Sequence, residues 1–130
     1  MNAIEPFYPH ESDSRIMMEK DKVEVTNWTD DLEYINEELD YLIDIEERML
    51  HNTQLYQQLK EIKKENKSQI GTLQNHGSNM RHIVECDTVQ CDAFYLHKHE
   101  KNRLVYLEHI RRYRTLKRMV LSQILLNVKS

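Results

Sequence analysis

The chain has 130 residues, enough for one domain, with charged residues at 31%, hydrophobic residues at 39%, two glycines and two prolines. So little turn-forming punctuation excludes a sheet protein, whose strands need turns every ten residues or so, and points to an all-helical fold. The net charge of −4 hides a gradient: residues 1–50 carry fifteen acids against four bases, residues 51–100 six of each, and residues 101–130 one acid against eight bases. An acidic first helix attracted to a basic last helix, within a bundle or between subunits, is the simplest reading of that gradient.

Residues 1–25 contain both prolines and mixed charges with no evident helical period, and are expected to be a disordered acidic tail. Its one feature, Glu5-Pro6-Phe7-Tyr8-Pro9, holds two aromatics between prolines and has the form of a short docking segment, though a plain tail accounts for it as well. The first residues, MNAIEPFYPHESDS, lack the basic start and apolar run of a secretory signal, and no stretch of eighteen apolar residues follows. A cytoplasmic location is therefore expected.

The helical domain is expected over residues 26–130. Thr26 or Asn27 can cap a helix over about 28–51, with Asp30, Asp31 and Glu33 at its positive end. Trp28, Leu32, Ile35, Leu39, Leu42 and Met49 make a heptad seam in which Glu46 sits where an apolar residue belongs. Glu46 is expected to reach solvent or to pair with a base of the last helix. A turn at Asn52-Thr53, with Thr53 as cap, opens a second helix over about 53–86 whose seam reads Leu55, Leu59, Ile62, Asn66, Ile70, Leu73, Met80 and Val84. Asn66 is placed to fix register. Gly77-Ser78-Asn79 has the composition of a loop, but Met80 and Val84 keep the phase of the preceding seam, so the helix is expected to run through Gly77 and to reverse near Asp87. Asp87-Thr88-Val89-Gln90 matches a capping box and starts a third helix over about 88–128. Short connections make neighbours antiparallel, so the expected architecture is an elongated, coiled-coil-like three-helix antiparallel bundle behind a disordered tail.

The third helix carries two apolar faces. At 100° per residue, Tyr95, His99, Asn102, Tyr106, Ile110, Tyr113, Val120, Ile124 and Val128 share one, and Leu96, Leu104, Leu107, Leu121 and Leu125 share its neighbour, edged by Arg103, Arg111, Arg114 and Arg118. Two shorter helices do not cover both, which suggests a self-associating protein-interaction or assembly module. The arginine edge supplies a second reading, an anionic surface such as nucleic acid or a peripheral membrane, disfavoured by the acidic chain and the lack of a helix-turn-helix.

Chemistry has one candidate place. A reversal near Asp87 brings His82, Cys86, Cys91 and His97 to the closed end of a hairpin, two sulfurs and two imidazoles of the kind zinc takes, although the spacing matches no zinc module and a redox-active cysteine pair is equally lacking in a motif. His82-x-x-Glu85 and His97-x-x-Glu100 reverse the order found in di-iron bundles, and there is no HExxH, glycine-rich phosphate loop or nucleophile elbow. No catalytic residue, cofactor or small-molecule substrate is inferred.

Overall fold

The computed structural model describes the backbone of residues 9–85 and 89–129 and the side chains of residues 16–80 and 90–128. Three long helices, α1 (Pro9–Ile45), α2 (Thr53–Glu85) and α3 (Val89–Lys129), account for nearly all of it, and α1 ends in a π-helical turn, Glu46–Leu50. At 1.5 Å per residue α3 extends for about 60 Å. As the phase of Met80 implies, α2 runs unbroken through Gly77. The reversal near Asp87 falls outside the described residues, as do residues 1–8 and with them most of the Glu5–Pro9 motif.

The first correction concerns the tail. Helix α1 begins at Pro9, so most of residues 1–25 is not the disordered segment expected. A proline is tolerated in the first turn, where its missing N–H has no intrahelical partner to lose. The inward positions then read Met18, Asp21, Val25, Trp28, Leu32, Ile35, Leu39 and Leu42, spaced alternately by three and four; Asp21 and Val25 are both 6% exposed. An aspartate on that seam concealed its N-terminal half.

The connection between α1 and α2 is tight. In the π turn the His51 N–H donates to the Glu46 carbonyl at 2.7 Å, and His51 adopts the left-handed conformation (φ 57°, ψ 32°) that reverses the chain. Asn52, rather than Thr53, caps α2: its Oδ1 accepts from the Leu55 N–H at 3.0 Å. Glu46 also departs from expectation. It is 1% exposed, neither carboxylate oxygen makes a hydrogen bond among the described residues, and only His51 and the Asn52 N–H offset its burial. The turn that holds it packs against both α2 and α3, which keeps the seam position from solvent.

Cross-helix contacts show how the helices lie along one another. Asp40 meets Lys63, Leu32 meets Asn66 and Val25 meets Gly77, so position falls along α1 as it rises along α2. Asn66 meets His109 and His76 meets His99, again in opposite order. Between α1 and α3 the order is shared: Asp21 with Tyr95, Asp31 with Tyr106, Glu38 with Lys117. Leu32, Leu39, Leu55, Leu59, Met80 and Val120 are almost completely buried along the axis.

On α3 the first apolar face is covered from Tyr95 to Val120, with His109 (0% exposed) occupying the inward position and Ile110 only half-buried beside it. The leucine face is not covered: Leu96, Leu104, Leu107, Leu121 and Leu125 are 43–65% exposed. No helix among the described residues is long and apolar enough to cross a membrane.

Candidate functional site

Heptad positions of all three helices bring polar side chains together inside one half of the bundle. Asp21 and Trp28 come from the inward face of α1, with Glu24 at its edge; α2 adds His76; α3 adds Tyr95, His99, Arg103 and Tyr106. The His99 Nε2 lies 2.9 Å from Glu24 Oε1 and 3.4 Å from Asp21 Oδ1. Its Nδ1 lies 3.0 Å from His76 Nε2. The Tyr95 hydroxyl donates to Asp21 Oδ2 at 2.8 Å, and Arg103 donates to Glu24 Oε1 at 2.7 Å and also pairs with Glu100. Flat rings fill the space between these groups. Trp28 stacks on His99 (centroids 5.2 Å apart) and on Tyr106 (5.3 Å), His76 lies nearly parallel to Tyr95 (5.7 Å, 11°), and the Arg103 guanidinium covers Trp28.

The electrostatics follow from burial set against pairing. Burial works to raise the Glu24 pKa, but hydrogen bonds from Arg103 and His99 and their charges outweigh it and hold the carboxyl below the ordinary range. The bond to Glu24 in turn raises Arg103. Burial, reinforced by His99 and Lys98, pushes His76 down to about 4, so it is neutral at pH 7. Burial and the hydrogen bond to Asp21 raise Tyr95. A carboxylate only accepts, so the Nε2–H of His99 donates to Glu24; in the neutral ring Nδ1 then accepts from the Nε2–H of His76. That leaves His76 Nδ1 as a bare nitrogen, buried and without a partner. The order is carboxylate, imidazole, imidazole, ending in the core.

A second polar layer lies toward the middle. Asn66, fully buried, donates from Nδ2 to the Leu32 carbonyl at 2.7 Å, and its Oδ1 lies 2.8 Å from His109 Nε2. It ties α2 to both neighbours, and a shift of one heptad would break both bonds, which is the register role its seam position suggests.

Of the metal candidates singled out from sequence, the side chain of His82 and the whole of Cys86 lie outside the described residues. Cys91 is disulfide-bonded, so in this state its sulfur is not a thiolate, and His97 is exposed beside Phe94 and Lys101 in a surface groove. His97 and Glu100 are both exposed on α3, and Glu100 faces Arg103. The arginine edge divides: Arg103 belongs to the buried cluster, Arg111 pairs with Glu108 on its own helix, and Arg114 and Arg118 are exposed with no ion pair among the described residues. None of the α1 acids Glu33, Glu37, Asp44 and Glu47 pairs with α3; Glu24 and Glu38 do.

Sequence reasoning missed Asp21, Glu24, His76 and His109. His76 had a signal, since it falls three after Leu73 and four before Met80 on the α2 seam, and His109 falls three after Tyr106 and four before Tyr113. Compared with known proteins, the chain matches no protein-family model, no curated protein and no solved structure.

Proposed function

We propose that the protein is a self-associating helical assembly module, in which the leucine face of α3 in one copy seats on the acidic outer face of α1 in another. The observation that carries this reading is the uncovered row Leu96, Leu104, Leu107, Leu121 and Leu125, 43–65% exposed along one side of α3 and interleaved with arginines. Charge complementarity names the occupant. Arg111, Arg114 and Arg118 line a groove together with Leu107, Ile110 and Leu121, while α1 exposes Glu33, Glu37 and Asp44 beside Tyr34 and Tyr41. Such a contact joins two different patches, so it closes into a ring or a reciprocal dimer, or propagates.

Sedimentation velocity at micromolar concentration tests it. The wild-type chain should associate, and Leu107→Glu with Leu121→Glu, both surface changes on the groove, should give monomers of unchanged helicity. A strictly monomeric wild type refutes the reading. The exposed Arg114 and Arg118 support a second one, contact with an anionic surface; binding of RNA or anionic vesicles would then weaken steeply with salt, and absence of binding at low salt excludes it.

A further inference from the structure

We propose that Asp21, Glu24 and His99 form a binding site for a single divalent transition-metal ion. Asp21 Oδ1, Glu24 Oε1 and His99 Nε2 all lie within 4.8 Å of one another. The two separations from the imidazole, 2.9 and 3.4 Å, match the edges of a coordination polyhedron: ligands about 2.1 Å from a common centre stand about 3.0 Å apart in an octahedron and about 3.4 Å apart in a tetrahedron. Receiving an ion exchanges the tautomers of the two rings: His99 gives its Nε2 lone pair to the metal and carries its proton on Nδ1, which donates to His76 Nε2, while His76 carries its own proton on Nδ1.

The groups behind these donors are those a metal centre uses. The second oxygen of Asp21 is held by the Tyr95 hydroxyl, and the second nitrogen of His99 by His76, so two of the three ligands are fixed in orientation from behind. His76 is the second, independent sign. It is 1% exposed, its Nε2 is aimed at the ligating imidazole, and its Nδ1 is left without a partner, an arrangement that burial alone disfavours and that packing an apolar residue at this seam position would avoid. With one imidazole and two carboxylates the donor set suits zinc, cobalt, nickel, manganese or iron(II) better than calcium, which takes six to eight oxygens. Glu24, with 28% of its side chain exposed, leaves the remaining coordination positions open to water.

Arg103 then has a definite part. It places its positive charge on the oxygen of Glu24 that an ion would take, and it has a second carboxylate, Glu100, three residues before it on the same helix. An entering ion displaces the guanidinium from Glu24 while Arg103 keeps Glu100. Arg103 therefore competes with the metal, and removing it should tighten binding, the opposite of what loss of a structural ion pair would do to a folded site.

The chain has a built-in reporter. Trp28 is the single tryptophan, and its ring stacks on His99. Cobalt(II), with its partly filled d shell, should quench Trp28 fluorescence on binding, and zinc should compete it away without quenching. The experiment is a titration of the metal-stripped full-length chain with cobalt(II) chloride, followed by zinc(II), for the wild type and for His99→Gln, Glu24→Gln and Arg103→Met, with helicity checked by circular dichroism. The expected result is saturable quenching at one equivalent, reversed by zinc, weakened by about tenfold or more in H99Q and in E24Q, and tightened in R103M. Glu24 is only half-buried, so E24Q keeps the test informative should H99Q unfold. Absence of saturable quenching in the wild type overturns the proposal. So does quenching that is unchanged in both ligand variants, which would place cobalt on exposed histidines, or weakening in R103M equal to that in E24Q.

Discussion

Replacing Glu46 by leucine should stabilise this protein. The carboxylate sits at an apolar seam position, 1% exposed, with no hydrogen-bond partner for either oxygen. Relieving an unsatisfied buried group recovers about 1–3 kcal/mol, and a covered leucine contributes about 1.5–3 kcal/mol of burial. Against this stand about 1 kcal/mol for repacking around a branched side chain and about 0.3–1 kcal/mol for the attraction between a carboxylate and the start of α2. The net gain at pH 7 is about 0.5–5 kcal/mol for Glu46→Leu, and about 1 kcal/mol for Glu46→Gln, which removes only the charge. The sign depends on pH in a defined way. Burial raises the folded pKa of Glu46 above 4.5, against a weaker pull from the Asn52 backbone N–H and His51. Its contribution to stability is therefore full below 4.5 and is lost as pH rises through the raised value. Urea denaturation followed by circular dichroism at pH 7 and at pH 4 measures both. The advantage of the glutamine variant should be present at pH 7 and shrink at pH 4; a destabilised leucine variant, or a glutamine gain that is the same at both pH values, refutes the reasoning.

Gly77→Ala should raise stability by about 0.5–1 kcal/mol, because α2 is helical there and the added Cβ meets only Val25 Cγ1, at 3.8 Å. Gly71→Ala, with nothing within 4 Å, should do the same, and a lower urea midpoint for either variant would contradict it. Asn66→Leu should cost about 1–3 kcal/mol by leaving His109 Nε2 unpaired, and adding His109→Leu should recover much of that loss; a double-mutant cycle with no coupling would mean the bond contributes nothing. Burial, with help from Arg112, holds the His109 pKa below 6.5, so the unfolded chain takes up its proton first and stability falls as pH drops below about 6.5. His109→Leu should flatten that part of the profile, and an unchanged slope would show that other groups set it.

Helix number, the short turn after the first seam and the passage of α2 through Gly77 could all be read from apolar phase, because leucine-rich seams repeat every three or four residues whatever surrounds them. Polar residues placed on the seam defeated the same reading. Asp21 made the first half of α1 look like a tail, and His76 and His109 went unremarked, since nothing local marks a polar residue as buried; their partners are 23 and 43 residues away along the chain. The Asp21–Glu24–His99 cluster is less legible still, because His99 lies 75 or more residues from the two acids and meets them only once α1 and α3 are in register. Asn66 was readable because it stood between apolar residues on the seam, with Leu59 and Ile62 before it and Ile70 and Leu73 after.

The two ends of the bundle respond to different physical variables. Each buried hydrogen bond between helices lies at Leu32 or on the side of it away from the α1–α2 connection, while the connection end is closed by Leu39, Leu42, Leu55, Leu59 and Val120. Apolar contacts weaken on cooling and tolerate small displacements, whereas the imidazole and carboxylate contacts are sensitive to protons, ions and small changes of angle. Amide exchange in the first turns of α2 should therefore accelerate in the cold and respond to acid through Glu46, and exchange around Asp21 and Tyr95 should follow acidity with little response to cold. One bundle is thus held by apolar packing at one end and by polar contacts at the other, with Asn66 standing between them.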